Sequence, residues 1–187
     1  MSTYFIIHGS FGNNEEHYLP WLKSKLENDG HYVISPSFPI GKDIQTFTSW
    51  SRELDKYREY ITKDTIFVGR SIAPIFILKY LKENNLNIKR LYSISGFNGR
   101  INVPGAEEYD YVNETFFIDD FENNNSFVPD TVCFVSKNDP FVSYDMLESF
   151  ARIAKAKVIL RENAGHFNTD SGYATFEELY DILKIQQ

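Results

Sequence analysis

Six short apolar runs, separated throughout by amphipathic stretches of helical period, constrain this chain more than any other feature. The runs are TYFIIHG (3–9), HYVISPSF (31–38), TIFVG (65–69), IKRLYSISGF (88–97), TVCFVSK (131–137) and AKVILREN (156–163). Several are nearly continuous in Val, Ile and Phe, as expected of strands covered on both faces. The stretches between them predict helices over about 16–28, 43–61, 73–84, 113–124, 143–155 and 175–185. In the first, Leu19, Leu22 and Leu26 share one helical face; the last opens on Thr175-Phe-Glu-Glu178, the spacing of a capping box. Strand and helix alternating this regularly imply an α/β fold, with a mostly parallel sheet between two layers of helices.

A length of 187 residues suits a single domain spanning 1–187 and is enough to bury most of its apolar surface. The longest connection, Phe97 to Asp130, is acidic, and its length predicts either a functional loop or a helix of its own; we expect both. A net charge of −7, with basic residues scattered among acids, argues against nucleic acid as a partner. No stretch is long and apolar enough to span a bilayer, and MSTYFIIHGS lacks a basic leader, so the expectation is a cytoplasmic protein without a membrane partner. The single cysteine, Cys133, lies inside an apolar run and reads as a small buried hydrophobe.

In a sheet of this kind, ligands and chemistry collect at the carboxyl ends of the strands. Those ends here are His8-Gly9-Ser10-Phe11-Gly12, Gly69-Arg70-Ser71-Ile72-Ala73, Ser95-Gly96-Phe97-Asn98, Lys137-Asn138-Asp139-Pro140 and Ala164-Gly165-His166-Phe167. Ser71, Asp139 and His166 thus stand on three strand ends in the order Ser…Asp…His, the chain order of the α/β-hydrolase scaffold. Each has an ordinary reading: Ser71 as a helix N-cap, Asp139 as a turn-former in Asn-Asp-Pro, His166 as a surface loop residue. Together, in order, they are harder to attribute to chance. Ser71 is flanked by Gly69 and Ala73, which leave its hydroxyl room to project, and Pro74 suits the first turn of the following helix. That helix also presents its N-terminal amides to any negative charge beside Ser71.

The stretches HGSFGNNEEHYLPWLKSKLENDGHYVISPSFP, VGRSIAPIFILKYL, SKNDPFVS and AGHFN resemble the small serine hydrolases related to YdeN and retinoblastoma-binding protein 9. The resemblance covers about residues 3–184 and is weakest from Asn98 to Pro129. It implies a compact α/β-hydrolase with little or no lid, in which Ser71 is the nucleophile, Asp139 the acid and His166 the base. The His-Gly loop already follows the first strand, so the two leading strands of larger hydrolases are missing. A six-stranded sheet in the order 2-1-3-4-5-6 follows. The oxyanion hole is expected from backbone amides of Ile72 and of Ser10 or Phe11, with His8 in an architectural role. Two departures from the general pattern stand out: Arg70 where many hydrolases carry histidine, and Ala73 in place of glycine.

The implied activity is hydrolysis of small carboxylic esters, or of amides or thioesters, through an acyl-enzyme and without a cofactor. The competing reading is a catalytically silent module that keeps the fold and binds a peptide or metabolite. A metal hydrolase is disfavoured because Asp64, Asp110, Asp119 and Asp120 form no ligand set with a histidine at usual spacing. Candidate pocket residues are Phe11, Arg70, Phe97, Phe141 and Phe167, with Phe116, Phe117 and Phe121 as further candidates from the long connection. A protein partner is not identifiable from these residues.

Overall fold

The computed structural model describes residues 1–185. Strands β1 (Thr3–Ile7), β2 (Tyr32–Ile34), β3 (Ile66–Arg70), β4 (Arg90–Ile94), β5 (Asp130–Ser136) and β6 (Lys157–Arg161) form one sheet, ordered β2-β1-β3-β4-β5-β6. Every pairing is parallel. The expected α/β architecture and strand order are both observed. β2 is shorter than its apolar run because Pro36 and Pro39 interrupt the chain, and proline has no N–H for a ladder.

Side chains alternate across the sheet, and both faces are apolar. Phe5, Ile7, Phe67, Leu91 and Cys133 enter one core. Tyr4, Ile6, Val68, Tyr92 and Phe134 enter the other. Helices α2 (Phe47–Asp55), α3 (Ala73–Asn84) and α5 (Tyr144–Ile153) cover the first face. Helices α1 (Leu19–Asn28) and α6 (Glu177–Ile185) cover the second, giving the three layers. α1 buries Leu19, Leu22 and Leu26 as its periodicity requires. α2 starts at a reciprocal cap: Thr46 Oγ1 accepts from Ser49 N–H, and Ser49 Oγ accepts from Thr46 N–H, each at 3.1 Å. α3 is apolar nearly all round, as befits a helix buried against the middle of the sheet.

The connection from β4 to β5 holds its own helix, but not over 113–124. Helix α4 runs Glu107–Asn113 and continues into a 3₁₀ turn at Glu114–Phe116. Glu107, Glu108 and Asp110 occupy its first turn, where the helix dipole favours acids. Downstream, Phe116, Ile118 and Phe121 are all buried, and no single helical face presents residues at that spacing. The connection is tied at its neck, where Asn98 Oδ1 accepts from Ile118 N–H (2.9 Å) and Asn98 Nδ2 donates to Ile118 O (3.0 Å). Lys79 on α3 donates to Thr115 O and Phe117 O beside it. Among the described residues no helix is long and apolar enough to cross a membrane.

The register puts the working ends of the strands side by side. Ile7 is opposite Gly69, Arg70 opposite Ile94, Ile94 opposite Phe134, and Ser136 opposite Arg161. The loops after β1, β3, β4, β5 and β6 therefore leave the sheet along one edge.

Candidate active site

Ser71 sits one residue beyond β3 with φ 62, a left-handed conformation that a non-glycine residue adopts only when its surroundings enforce it. Its N–H donates to Ile94 O at 2.8 Å, which holds the turn against the neighbouring strand. The strand then meets α3 so closely that a side chain at Gly69 would lie 2.9 Å from Ile77 Cδ1 and 3.1 Å from Pro74 N. Glycine is needed there for close approach. Ala73 is fully buried at the head of α3, so the methyl group that departs from the general pattern is packed.

On the loops after β5 and β6, Asp139 and His166 are hydrogen-bonded, Oδ2 to Nδ1 at 2.7 Å. Asp139 Oδ2 also accepts from Ser95 Oγ (2.9 Å), and Oδ1 accepts from the Phe141 and Val142 N–H groups (3.0 Å each). Burial opposes the charge of Asp139, but the bond to His166 and these backbone donors outweigh it, leaving its pKa below the ordinary carboxylate value. A carboxylate can only accept, so Nδ1 of His166 carries the proton and Nε2 is left as an acceptor. Burial lowers the His166 pKa, against the opposing bond from Asp139 and with help from the Arg70 charge. The resting imidazole is neutral.

The loop carrying His166 is fixed from β5. Ser136 Oγ accepts from Ala164 N–H (3.0 Å), and Asn138 Oδ1 accepts from Gly165 N–H (2.8 Å) and from Ser136 Oγ (2.8 Å). Gly165 has φ 52, and a side chain there would run directly into Ser171 Oγ, with Ser171 Cβ at 2.9 Å. Ser171 in turn donates from N–H and Oγ to Asn168 Oδ1, at 3.1 and 2.8 Å. Ser95, Ser136 and Asn138 were visible in the sequence only as polar residues at strand ends. Their positioning role emerges from the contacts.

His8 is architectural, as expected. Its Nε2 accepts from Phe38 N–H (3.0 Å), which leaves Nδ1 to donate to Gly9 O (2.8 Å), and burial lowers its pKa. Both ring nitrogens are occupied, so it is not free to act as a base. On the loop that follows, Phe11 N–H donates to Gln45 Oε1 at 2.9 Å. That commitment corrects the expectation for Phe11 and leaves Ser10 as the candidate amide of this loop. Ile72, the N-cap of α3, precedes the first helical turn, whose amides have no intrahelical acceptor.

A cavity of about 240 Å³ opens over these loops and is lined by both Ser71 and His166. Its apolar wall includes Phe11, Phe97, Ile101, Tyr109, Phe141 and Val142. Tyr109 packs edge-on against Phe11, with ring centres 5.0 Å apart, and Phe141 packs edge-on against the His166 ring at 5.2 Å. Phe11, Phe97, Phe141 and Arg70 thus line the pocket. Phe167 does not: it is wholly buried on the other side of its loop, stacked on Phe176 and edge-on to Phe134. Phe116, Phe117 and Phe121 pack in or against the core below the connection instead of overhanging the site. Beyond Phe97 at its start, that connection contributes Ile101, Tyr109 and Asn113 to the cavity. Among the described residues no group of three or more His, Cys, Asp or Glu side chains is placed to hold a metal ion.

The fold and this edge define an α/β-hydrolase-like protein. Residues 4–185 match the Serine hydrolase family model, and the chain belongs to that family. YdeN of Bacillus subtilis strain 168 is 24% identical over 183 residues, which span 96% of this chain and 93% of YdeN. The YdeN crystal structure superposes with a TM-score of 0.82, covering 98% of this chain and 97% of that one. Two more distant structures share the fold. The esterase EaEST of Exiguobacterium antarcticum has a TM-score of 0.72 at 14% identity, covering 100% of this chain and 91% of its own. Est1E of Butyrivibrio proteoclasticus, solved with ferulic acid bound, has a TM-score of 0.69 at 15% identity, covering 98% and 90%.

Proposed function

We propose that the protein hydrolyses small carboxylic esters, with amides and thioesters as the related acyl compounds, through Ser71, His166 and Asp139. The observation that carries this reading is the 2.7 Å bond from Asp139 to His166, which lines one cavity together with Ser71 on its left-handed turn. A serine hydroxyl is a weak nucleophile until a base takes its proton, and the free Nε2 of His166 supplies one. Ser71 Oγ attacks the carbonyl carbon as its proton passes to Nε2, and the Asp139 carboxylate stabilises the imidazolium formed. The amides of Ile72 and Ser10 receive the negative charge on the former carbonyl oxygen. The bond to the leaving alcohol then breaks, and His166 returns the proton to that oxygen. Water, deprotonated by His166, then attacks the acyl group; the acyl–Oγ bond breaks, His166 returns the proton to Ser71 Oγ, and the acid leaves.

A silent binding module would need none of the three groups, whereas all three are present and two are already bonded as the chemistry requires. The test is labelling with a fluorophosphonate, which reacts with an activated serine. Labelling confined to Ser71, and lost together with ester turnover in a folded Ser71→Ala variant, is the expected result. Wild-type turnover in that variant refutes the reading.

A further inference from the structure

Arg70 is not used by this mechanism, and its environment is unusual for a charged side chain. It is 8% exposed, lines the same cavity as Ser71 and His166, and its Nε is buried with no hydrogen-bond partner. Among the described residues Arg70 makes no hydrogen bond and no ion pair. A guanidinium stays charged and carries five donor hydrogens in a planar fork. Burying one without an acceptor is costly, and cores rarely tolerate it. A buried packing role would be served better by an apolar side chain, since the position before Ser71 lies at the end of a fully buried strand.

Asp139 and Glu16 attract Arg70 through space, but no neighbouring acid accepts a hydrogen bond from it. Asp139 is committed to His166, Ser95 and two backbone N–H groups. Glu16 accepts from Asn13 Nδ2 at 2.7 Å, has its side chain 40% exposed, and stands beside His17. Asp170 is exposed at the rim. Charges in contact with water are screened, whereas one inside the wall is not. Arg70 therefore keeps unpaired donors inside the wall of the pocket, while the acids at the rim are solvated.

We propose that Arg70 is an anion subsite, and that the preferred substrates are compact esters carrying a second, free carboxylate, the half-esters of short dicarboxylic acids being the simplest. The inference rests on the ester-hydrolase reading and deepens it. A carboxylate fits the guanidinium fork in a bidentate pair, the stronger kind of charge-assisted bond. Such a pair supplies the acceptors Arg70 lacks and orients the ester carbonyl toward Ser71. The remaining cavity wall, Phe97, Phe141 and Tyr109, suits the short methylene chain between the two carboxyl groups.

The test compares monomethyl glutarate with methyl valerate, of equal chain length, following acid release at constant pH. The wild-type enzyme is expected to favour the half-ester in kcat/KM on the order of ten-fold. Arg70→Gln should bring that ratio to one or below, mainly through KM, and Arg70→Lys should restore part of it. A wild-type ratio of one or less, or a ratio that survives Arg70→Gln, overturns the proposal. If Arg70→Gln fails to melt cooperatively, the wild-type ratio and the Lys variant decide alone. A calorimetric titration of glutarate into Ser71→Ala protein separates this inference from the one beneath it. Glutarate binding without fluorophosphonate labelling of the wild type sinks the hydrolase reading and keeps the subsite. Labelling without glutarate binding or half-ester preference sinks the subsite and keeps the hydrolase.

Discussion

Replacing Gly165 by alanine tests how the position of His166 is held. The position has φ 52, where an L side chain costs roughly 1–2 kcal/mol. The added methyl also runs into Ser171 Oγ and approaches its Cβ to 2.9 Å, an overpacking that costs about 1–3 kcal/mol. Ser171 is held by two bonds to Asn168 and cannot turn away freely. The sum is about 3 kcal/mol, which for a chain of this size lowers Tm by roughly 6–12 °C. The strain sits one residue from the imidazole, so the loop relaxes by moving His166 relative to Ser71. A displacement near 1 Å costs on the order of 10²-fold in rate. The assay is a double-mutant cycle with Ser171→Gly, read by thermal melting and by kcat/KM on a short aryl ester. Ser171→Gly removes the obstacle and leaves only the backbone strain, so the double variant should recover about 1–3 kcal/mol relative to the sum of the singles. Strictly additive effects on stability would show that Ser171 is not the obstacle. Wild-type kcat/KM in Gly165→Ala would show that this loop does not place the base.

Asp139→Asn keeps the side-chain volume but replaces an acceptor-only group, and it should lower kcat by about 10⁴-fold while the protein still melts cooperatively; a loss under ten-fold would remove Asp139 from the mechanism. The acid limb of kcat/KM should fall below the ordinary histidine value of 6.5, because burial lowers the His166 pKa and only the neutral ring accepts a proton; a limb above 6.5 would contradict the buried neutral base. Stability should follow the same sign. His8, His17, His31 and His166 all have lowered pKa values, burial being the largest cause for each, so below 6.5 the unfolded chain binds protons the folded chain does not. Tm should hold steady above about 6.5 and drop as pH falls below it, and a Tm independent of pH in that range would refute the argument. Finally, a cavity of about 240 Å³ has room for short acyl chains, so kcat/KM for p-nitrophenyl esters should decline as the chain lengthens; a continued rise to long acyl groups would exclude the narrow pocket.

What was legible in the sequence follows from how local each signal is. Strand ends in a parallel sheet share one edge, so the positions of Ser71, Asp139 and His166 could be read from the alternation of runs and turns. Whether a side chain next to such a residue enters the pocket is not local information. Phe167 follows His166 directly, yet its own left-handed φ of 47 turns it into the opposite core. Phe11 was a reasonable amide donor until Gln45, 34 residues away, claimed its N–H. The helix expected at 113–124 formed earlier because the acids at 107–110 suit a helix start, and Phe116 and Ile118 must be buried on opposite sides of any helix through them. Tyr109 could not be placed at all, since the fold of the long connection decides what it reaches.

The tie between Asn98 and Ile118 has a consequence for how this protein can be altered. A side-chain amide there imitates a pair of strand hydrogen bonds and closes the segment between them as a loop with a fixed base. Within it, Phe116 is wholly buried against Phe47, Trp50 and Phe76, whereas Ile101 and Tyr109 reach the cavity from the stretch ahead of Val112. That stretch, 99–111, is thus the exchangeable part. Loops of other lengths can be grafted between positions 98 and 112 at a closure cost that grows only slowly with length. Such grafts would rewrite what the cavity admits while the strand-end edge stays as it is.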